Sequence, residues 1–140
     1  MYSKYIYTII YIFIAEFIWL YLINSKRYIS ITEKIQKTKF NVNIKYAILS
    51  YVLVLISIFY VTVPFVISKI SINDNNKIKN IKIFIYSFII GFLIYGIYNL
   101  TSLSIYTNYT FFIASIDTLW GGILYSTSTL LFFNLKHMLN

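Results

Sequence analysis

The chain has 140 residues, of which 59% are hydrophobic and 11% charged, where a soluble domain carries roughly a quarter of charged residues. That shortfall and the long apolar runs exclude an ordinary soluble domain and point to the membrane class, as one domain spanning residues 1–140. The absence of Cys excludes disulfides and thiolate metal sites; the formal charge of +8 sits on lysines at the ends of apolar runs, which is membrane placement and not a nucleic-acid footprint.

The first apolar run, residues 5–23, has the length a bilayer span requires. Glu16 interrupts it and no small-residue cleavage site follows, so it reads as a retained helix and not a signal peptide. Glu16, Trp19 and Leu20 share one side of that helix by spacing. Residues 24–45 form the first connection, with Lys26, Arg27, Lys34, Lys37, Lys39 and Lys45 against Glu33 alone. Tyr28, Ile31 and Ile35 recur at helical spacing there, with Lys34 and Lys37 turned away, which predicts a short interfacial amphipathic helix.

The second run, 46–68, is rich in β-branched and aromatic residues. In lipid its backbone must satisfy itself internally, so a run this long is helical, with Pro64 kinking its last turn. A polar loop is expected over 69–82, with Asn73, Asp74, Asn75 and Asn76 supplying turn chemistry. In the third run, 83–100, Ser87, Gly91, Tyr95 and Asn99 fall at successive i+4 steps. In the fourth, 109–133, Ala114, Thr118, Gly122 and Ser126 do the same. Such small-residue ridges let membrane helices approach closely, so the last two runs are expected to pair tightly and antiparallel. The remaining tail carries the sole histidine, His137, read as a solvated residue.

The fold expected is therefore all-α and integral to the membrane: four transmembrane helices in one antiparallel bundle, plus the short interfacial helix. Basic residues divide evenly between the two sides, and the dense cluster after the first helix orients the first loop to the cytoplasm. Asn99 and Asn108 open glycosylation sequons, and a glycan at either would reverse that orientation.

Two acids stand inside apolar runs, Glu16 and Asp117, each in the pattern acid-x-x-Trp with Trp19 and Trp120. Spacing i, i+3 puts acid and indole on one helix face, where the N–H can donate to a carboxylate of its own or a facing helix. Both acids are expected near mid-span. Burying one carboxylate there costs about 2.5–3.5 kcal/mol, so two in a small protein need a reason. The candidate site is Asp117 and Glu16 as an acid/base pair, with Asn99, Tyr95, Thr118, Trp19 and Trp120 binding or orienting. No cofactor is expected and no metal, since Glu16, Asp117 and Asn99, although hard oxygen ligands, have no second-shell pattern behind them.

The stretch Tyr95-Gly96-Ile97-Tyr98-Asn99-Leu100-Thr101-Ser102-Leu103, followed by Asp117-Thr118-Leu119-Trp120-Gly121, resembles a family of small membrane proteins known as domain of unknown function two-one-seven-seven. That family's pattern reads Y-G-x-Y-D-L-T-N-L, then W-P, then V-D-x-x-W-G. Its first helix has D-x-x-W-L, which Glu16, Trp19 and Leu20 resemble, and its second ends in a proline like Pro64. Glu16 and Asn99 each stand where the family has Asp, Ser102 where it has Asn, and Tyr109-Thr110 replaces W-P. The resemblance implies a four-helix integral membrane protein and no established reaction.

Whether the chain is an enzyme stays open on the residues, with three classes of function in view. A membrane enzyme acting on a lipid or isoprenoid would use the two carboxylates in unlike surroundings as acid and base. A small proton- or cation-coupled carrier would bind and release H⁺ at them, and four helices would then work as a homo-oligomer or with other membrane subunits. A non-catalytic membrane component would keep them as interhelical hydrogen-bond partners. Membrane lipids are the common partner of all three.

Overall fold

A computed structural model describes residues 2–138, with side chains through residue 135. It is helical, with no strand among the described residues. Helix α1 covers Ser3–Ile23, α2 Ser25–Gln36, α3 Ile44–Lys69, α4 Asn76–Ile105 and α5 Phe111–Met138. The tail therefore continues α5 through Met138, and His137 lies outside the residues whose side chains are described.

Each boundary has a local cause. α4 begins at Asn76 and not at residue 83, because the Asn75 side chain accepts from the Ile78 N–H at 2.9 Å and caps the helix before its lysines. The expected polar loop thus shrinks to a turn. Within it Asp74 accepts from the Ser71 N–H at 2.7 Å and pairs with Lys82 at 2.7 Å. Lys82, and then the Ser71 amide, hold the Asp74 carboxyl below its ordinary range. α2 ends at Lys37, whose φ of 54° is left-handed, with its N–H on the Glu33 carbonyl at 2.8 Å. Tyr28, Ile31 and Ile35 are half-buried on α2 while Lys34 and Lys37 are exposed, as an amphipathic helix requires.

Two helices contain π turns. In α3 the turn covers Ser57–Thr62, directly before Pro64. Proline has no N–H to give and its ring crowds the carbonyl one turn back, so the ladder widens there. Thr62 donates to the Ser57 carbonyl at 3.0 Å, which fills the widened turn. In α1 the π turn covers Ile18–Ile23 and carries Trp19, starting two residues after Glu16.

α1, α3 and α4 are long and apolar enough to cross a membrane. In each, only 22% of the most apolar window is buried inside the protein, so their outer faces are greasy. α5 is long enough but more polar, with Asp117, Thr118, Gly121, Gly122, Ser126, Thr127, Ser128 and Thr129 in succession. It is also the most enclosed helix: α4 packs along it, and α1 and the π turn of α3 lie against it. A helix wrapped by others need not be greasy all round, which explains its composition.

The α4–α5 pair is tight and antiparallel, as the small-residue ridges predict. An added Cβ at Gly91 would stand 2.2 Å from the Gly121 carbonyl oxygen, and one at Gly121 would stand 2.2 Å from the Tyr95 ring. Ser126 reaches across to the Phe84 carbonyl at 3.1 Å. Farther along, Ile12, Ile58 and Tyr125 form an apolar core shared by α1, α3 and α5.

Candidate functional site

Glu16 on α1 and Asp117 on α5 are both buried, at 6% and 8% exposure. The two acid-x-x-Trp patterns meet crosswise. Trp19, from the helix of Glu16, donates its Nε1–H to Asp117 at 3.2 Å. Trp120, from the helix of Asp117, donates to Glu16 at 3.0 Å. The two indoles stack, with centroids 4.7 Å apart and planes 5° from parallel. The i, i+3 spacing puts each indole on the face of its own acid, and each N–H crosses to the carboxylate of the facing helix, Trp19 from within the π turn and Trp120 from a regular α-helix.

α4 contributes one side chain to each acid. The Tyr95 hydroxyl donates to Glu16 at 3.0 Å. Asn99, four residues on and fully buried, donates its Nδ2–H to Asp117 at 2.9 Å and to the Tyr95 carbonyl at 2.8 Å. Its place in the helix and its burial also close the Asn99 sequon to a glycan. Asn99 Oδ1 in turn accepts from the Tyr109 hydroxyl at 2.5 Å.

The fourth helix in the cluster is α2. Its Tyr28 hydroxyl donates to the Asp117 oxygen that Trp19 also uses. Burial, then the negative charge of Asp117, pushes the Tyr28 phenol well above its ordinary value. Tyr109, in the connection between α4 and α5, is raised for the same reasons in the same order. Asn108 beside it donates to the Lys34 carbonyl at 3.3 Å, and Arg27 lies 5.5 Å over the Phe112 ring, so α2 is fastened across this end of α4 and α5.

The structure thus gathers Glu16, Asp117, Asn99, Tyr95, Trp19 and Trp120 and leaves out Thr118. Thr118 is buried, but its methyl group packs on Gly96, where an added Cβ would meet it at 3.3 Å. It belongs to the small-residue ridge, and a residue on that ridge faces α4's backbone instead of the acids. Tyr28 and Tyr109 were missed. The one trace of Tyr28 was its place on the apolar face of α2, and Tyr109 marked a departure from the family pattern with no chemistry attached.

Asp117 stands six residues inside α5 and Glu16 seven residues before the end of α1, about 9–10 Å along each axis. Each acid therefore stands nearer the first-loop end of its own helix than the opposite end.

The donors at both carboxylates are neutral: two indoles, two phenols and one amide. Among the described residues the sole salt bridge is Lys82–Asp74, so neither acid faces a cation. No group of three or more His, Cys, Asp or Glu able to hold a metal gathers among the described residues. Grooves of about 490 and 500 Å³ lie elsewhere, along α2 at Lys26–Lys34 and on α4 at Lys77–Ile85.

No curated protein and no solved structure matches the chain. The family described as predicted membrane protein (DUF2177) matches residues 1–133. The crossed acid–indole pairs, the greasy outer faces and that match over nearly the whole length agree, and the chain belongs to this family of membrane proteins of unknown function.

Proposed function

We propose that the chain is a four-span antiparallel bundle whose Glu16–Asp117 centre holds a proton, making it a small proton-exchanging membrane unit. One observation carries the reading: two carboxylates share one buried cluster that supplies only neutral donors. Neutral donors solvate a charge but do not cancel it, and keeping two uncancelled charges out of water in a low-dielectric interior is costly. A proton bound on one of them is the smallest correction. Asp117, with three donors, is the better-solvated partner; Glu16, with two on one oxygen, is the natural proton holder. Buried intramembrane acids of this kind mark proton relays in pumps and carriers.

The test is infrared spectroscopy of the purified protein in lipid. A protonated-carboxyl stretch is expected at neutral pH and should vanish in Glu16→Gln. Only ionised carboxylate bands at neutral pH would sink the proposal. A pH-sensitive dye inside vesicles then separates exchange from mere storage, because Asp117→Asn should abolish proton uptake that the native protein supports.

A second reading is favoured by where the acids stand along their helices. They lie toward the first-loop ends, about 9–10 Å in, where an acid/base pair would act on the head of a lipid or isoprenoid that reaches inward. Tyr28 would then be the group that moves to admit substrate. Lipid profiles of cells expressing native protein and Asp117→Asn would differ on this reading and match on the first.

A further inference from the structure

α2 has two faces with different business. The inner face carries Tyr28, Ile31 and Ile35, all half-buried, and Tyr28 bonds Asp117. The outer face and the extended segment after it expose Lys26, Lys34, Lys37 and Lys39, with Lys45 exposed at the start of α3 and Glu33 as the one acid. Exposed Ile29, Phe40 and Val42 lie among these cations. Lys26, Ile29, Ser30, Glu33 and Lys34 line the groove along the helix. α2 follows the membrane helix α1 after a single residue, Asn24, which fixes it at the level where that helix leaves the hydrocarbon. Cations interleaved with apolar side chains at that level are complementary to one surface, an anionic phospholipid leaflet.

We propose that α2 is a lipid-sensing latch: anionic phospholipid headgroups bound on its outer lysines hold it flat, and Tyr28 on its inner face thereby closes the acid cluster. Few other fastenings hold α2 closed, namely the Tyr28 hydroxyl, the Asn108–Lys34 contact and Arg27 on Phe112. In a neutral leaflet those contacts alone hold the latch, and water reaches the cluster more often. The inference uses only the Tyr28–Asp117 bond and does not depend on whether the acids hold a proton.

The molecule supplies its own reporter. Its two tryptophans, Trp19 and Trp120, are both in the cluster, so indole fluorescence reads that place alone. The native chain is placed in nanodiscs of phosphatidylcholine, or of phosphatidylcholine mixed with phosphatidylglycerol, and quenched with acrylamide. Quenching should be at least about twofold weaker with the anionic lipid, given the several lysines engaged. The variant K26Q/K34Q/K37Q should lose that difference while keeping the native emission in phosphatidylcholine, which shows that it folds. Tyr28→Phe should be quenched strongly in both lipids. Equal quenching of the native chain in both lipids overturns the latch, as does a lipid difference that survives in the lysine variant. An absent protonated-carboxyl band alongside an intact lipid difference would remove the proton reading and leave the latch standing.

Discussion

Asp117 accepts from Tyr28, Trp19 and Asn99, which belong to three different helices. Replacing it therefore tests donors more than it tests the acid. Asp117→Leu leaves three buried donors without an acceptor, at about 1–3 kcal/mol for each that water cannot reach. Asp117→Asn keeps one acceptor oxygen and sets its amide against the Asn99 amide, so about 1–2 kcal/mol of loss is expected. Unfolding by titration with a denaturing detergent should rank native above Asn above Leu. Equal stability of all three would mean that the bonds are not made in the membrane. Tyr28 adds a pH dependence. Its folded pKa is raised, so its contribution is complete below the free-tyrosine value of about 10 and falls as pH rises above that toward the folded value. Native protein should lose stability above about pH 10 more steeply than Tyr28→Phe in the same titration.

Among the elements, α4 and α5 matter most to the site because their spacing sets where Tyr95 stands. The two glycines at the crossing differ in what an added methyl would meet. At Gly91 it meets the Gly121 backbone, and at Gly121 it meets the ring of Tyr95, the residue that donates to Glu16. Each alanine variant should cost about 1–3 kcal/mol by overpacking, and Gly121→Ala should also shift tryptophan emission by displacing Tyr95. Gly96→Ala is the control, since its methyl would press only on the Thr118 methyl at 3.3 Å. If Gly96→Ala proves as costly as the others, the close crossing is wrongly placed. These contacts were readable from residue spacing, because i+4 ridges and the i, i+3 acid–indole step are properties of one helix. Contacts between a loop and a helix are not. Tyr28 stands among 15 tyrosines, where an aromatic residue by itself distinguishes nothing. The start of α4 was misread because Asn and Lys outside the hydrocarbon resemble a loop, although a helix may run on past the bilayer with polar residues on it.

At the scale of the molecule, the open question is what surrounds α5. Its polarity makes it the weakest span by composition, yet three greasier helices flank it and nearly every turn from Ile113 to Leu135 is buried. Enclosure explains both facts together: α1, α3 and α4 meet lipid on α5's behalf, and its small and hydroxyl-bearing residues serve packing in the middle. On the proposed four-span reading, α5 crosses the membrane alongside its closely packed antiparallel partner α4. Because the chain has no cysteine, single cysteines make a clean probe of this. Placed at Thr38 and Thr107, they should react with an impermeant maleimide from one side of sealed vesicles. Placed at Ile72, which is 99% exposed, and at Asn140, they should react from the other. If Asn140 reacts together with Thr107, α5 does not span, and the acid cluster would then sit at the edge of a three-helix membrane protein with one side open to water. The sidedness of Thr38 also decides which compartment the latch faces, and a cytoplasmic label there would agree with the lysine cluster that follows α1.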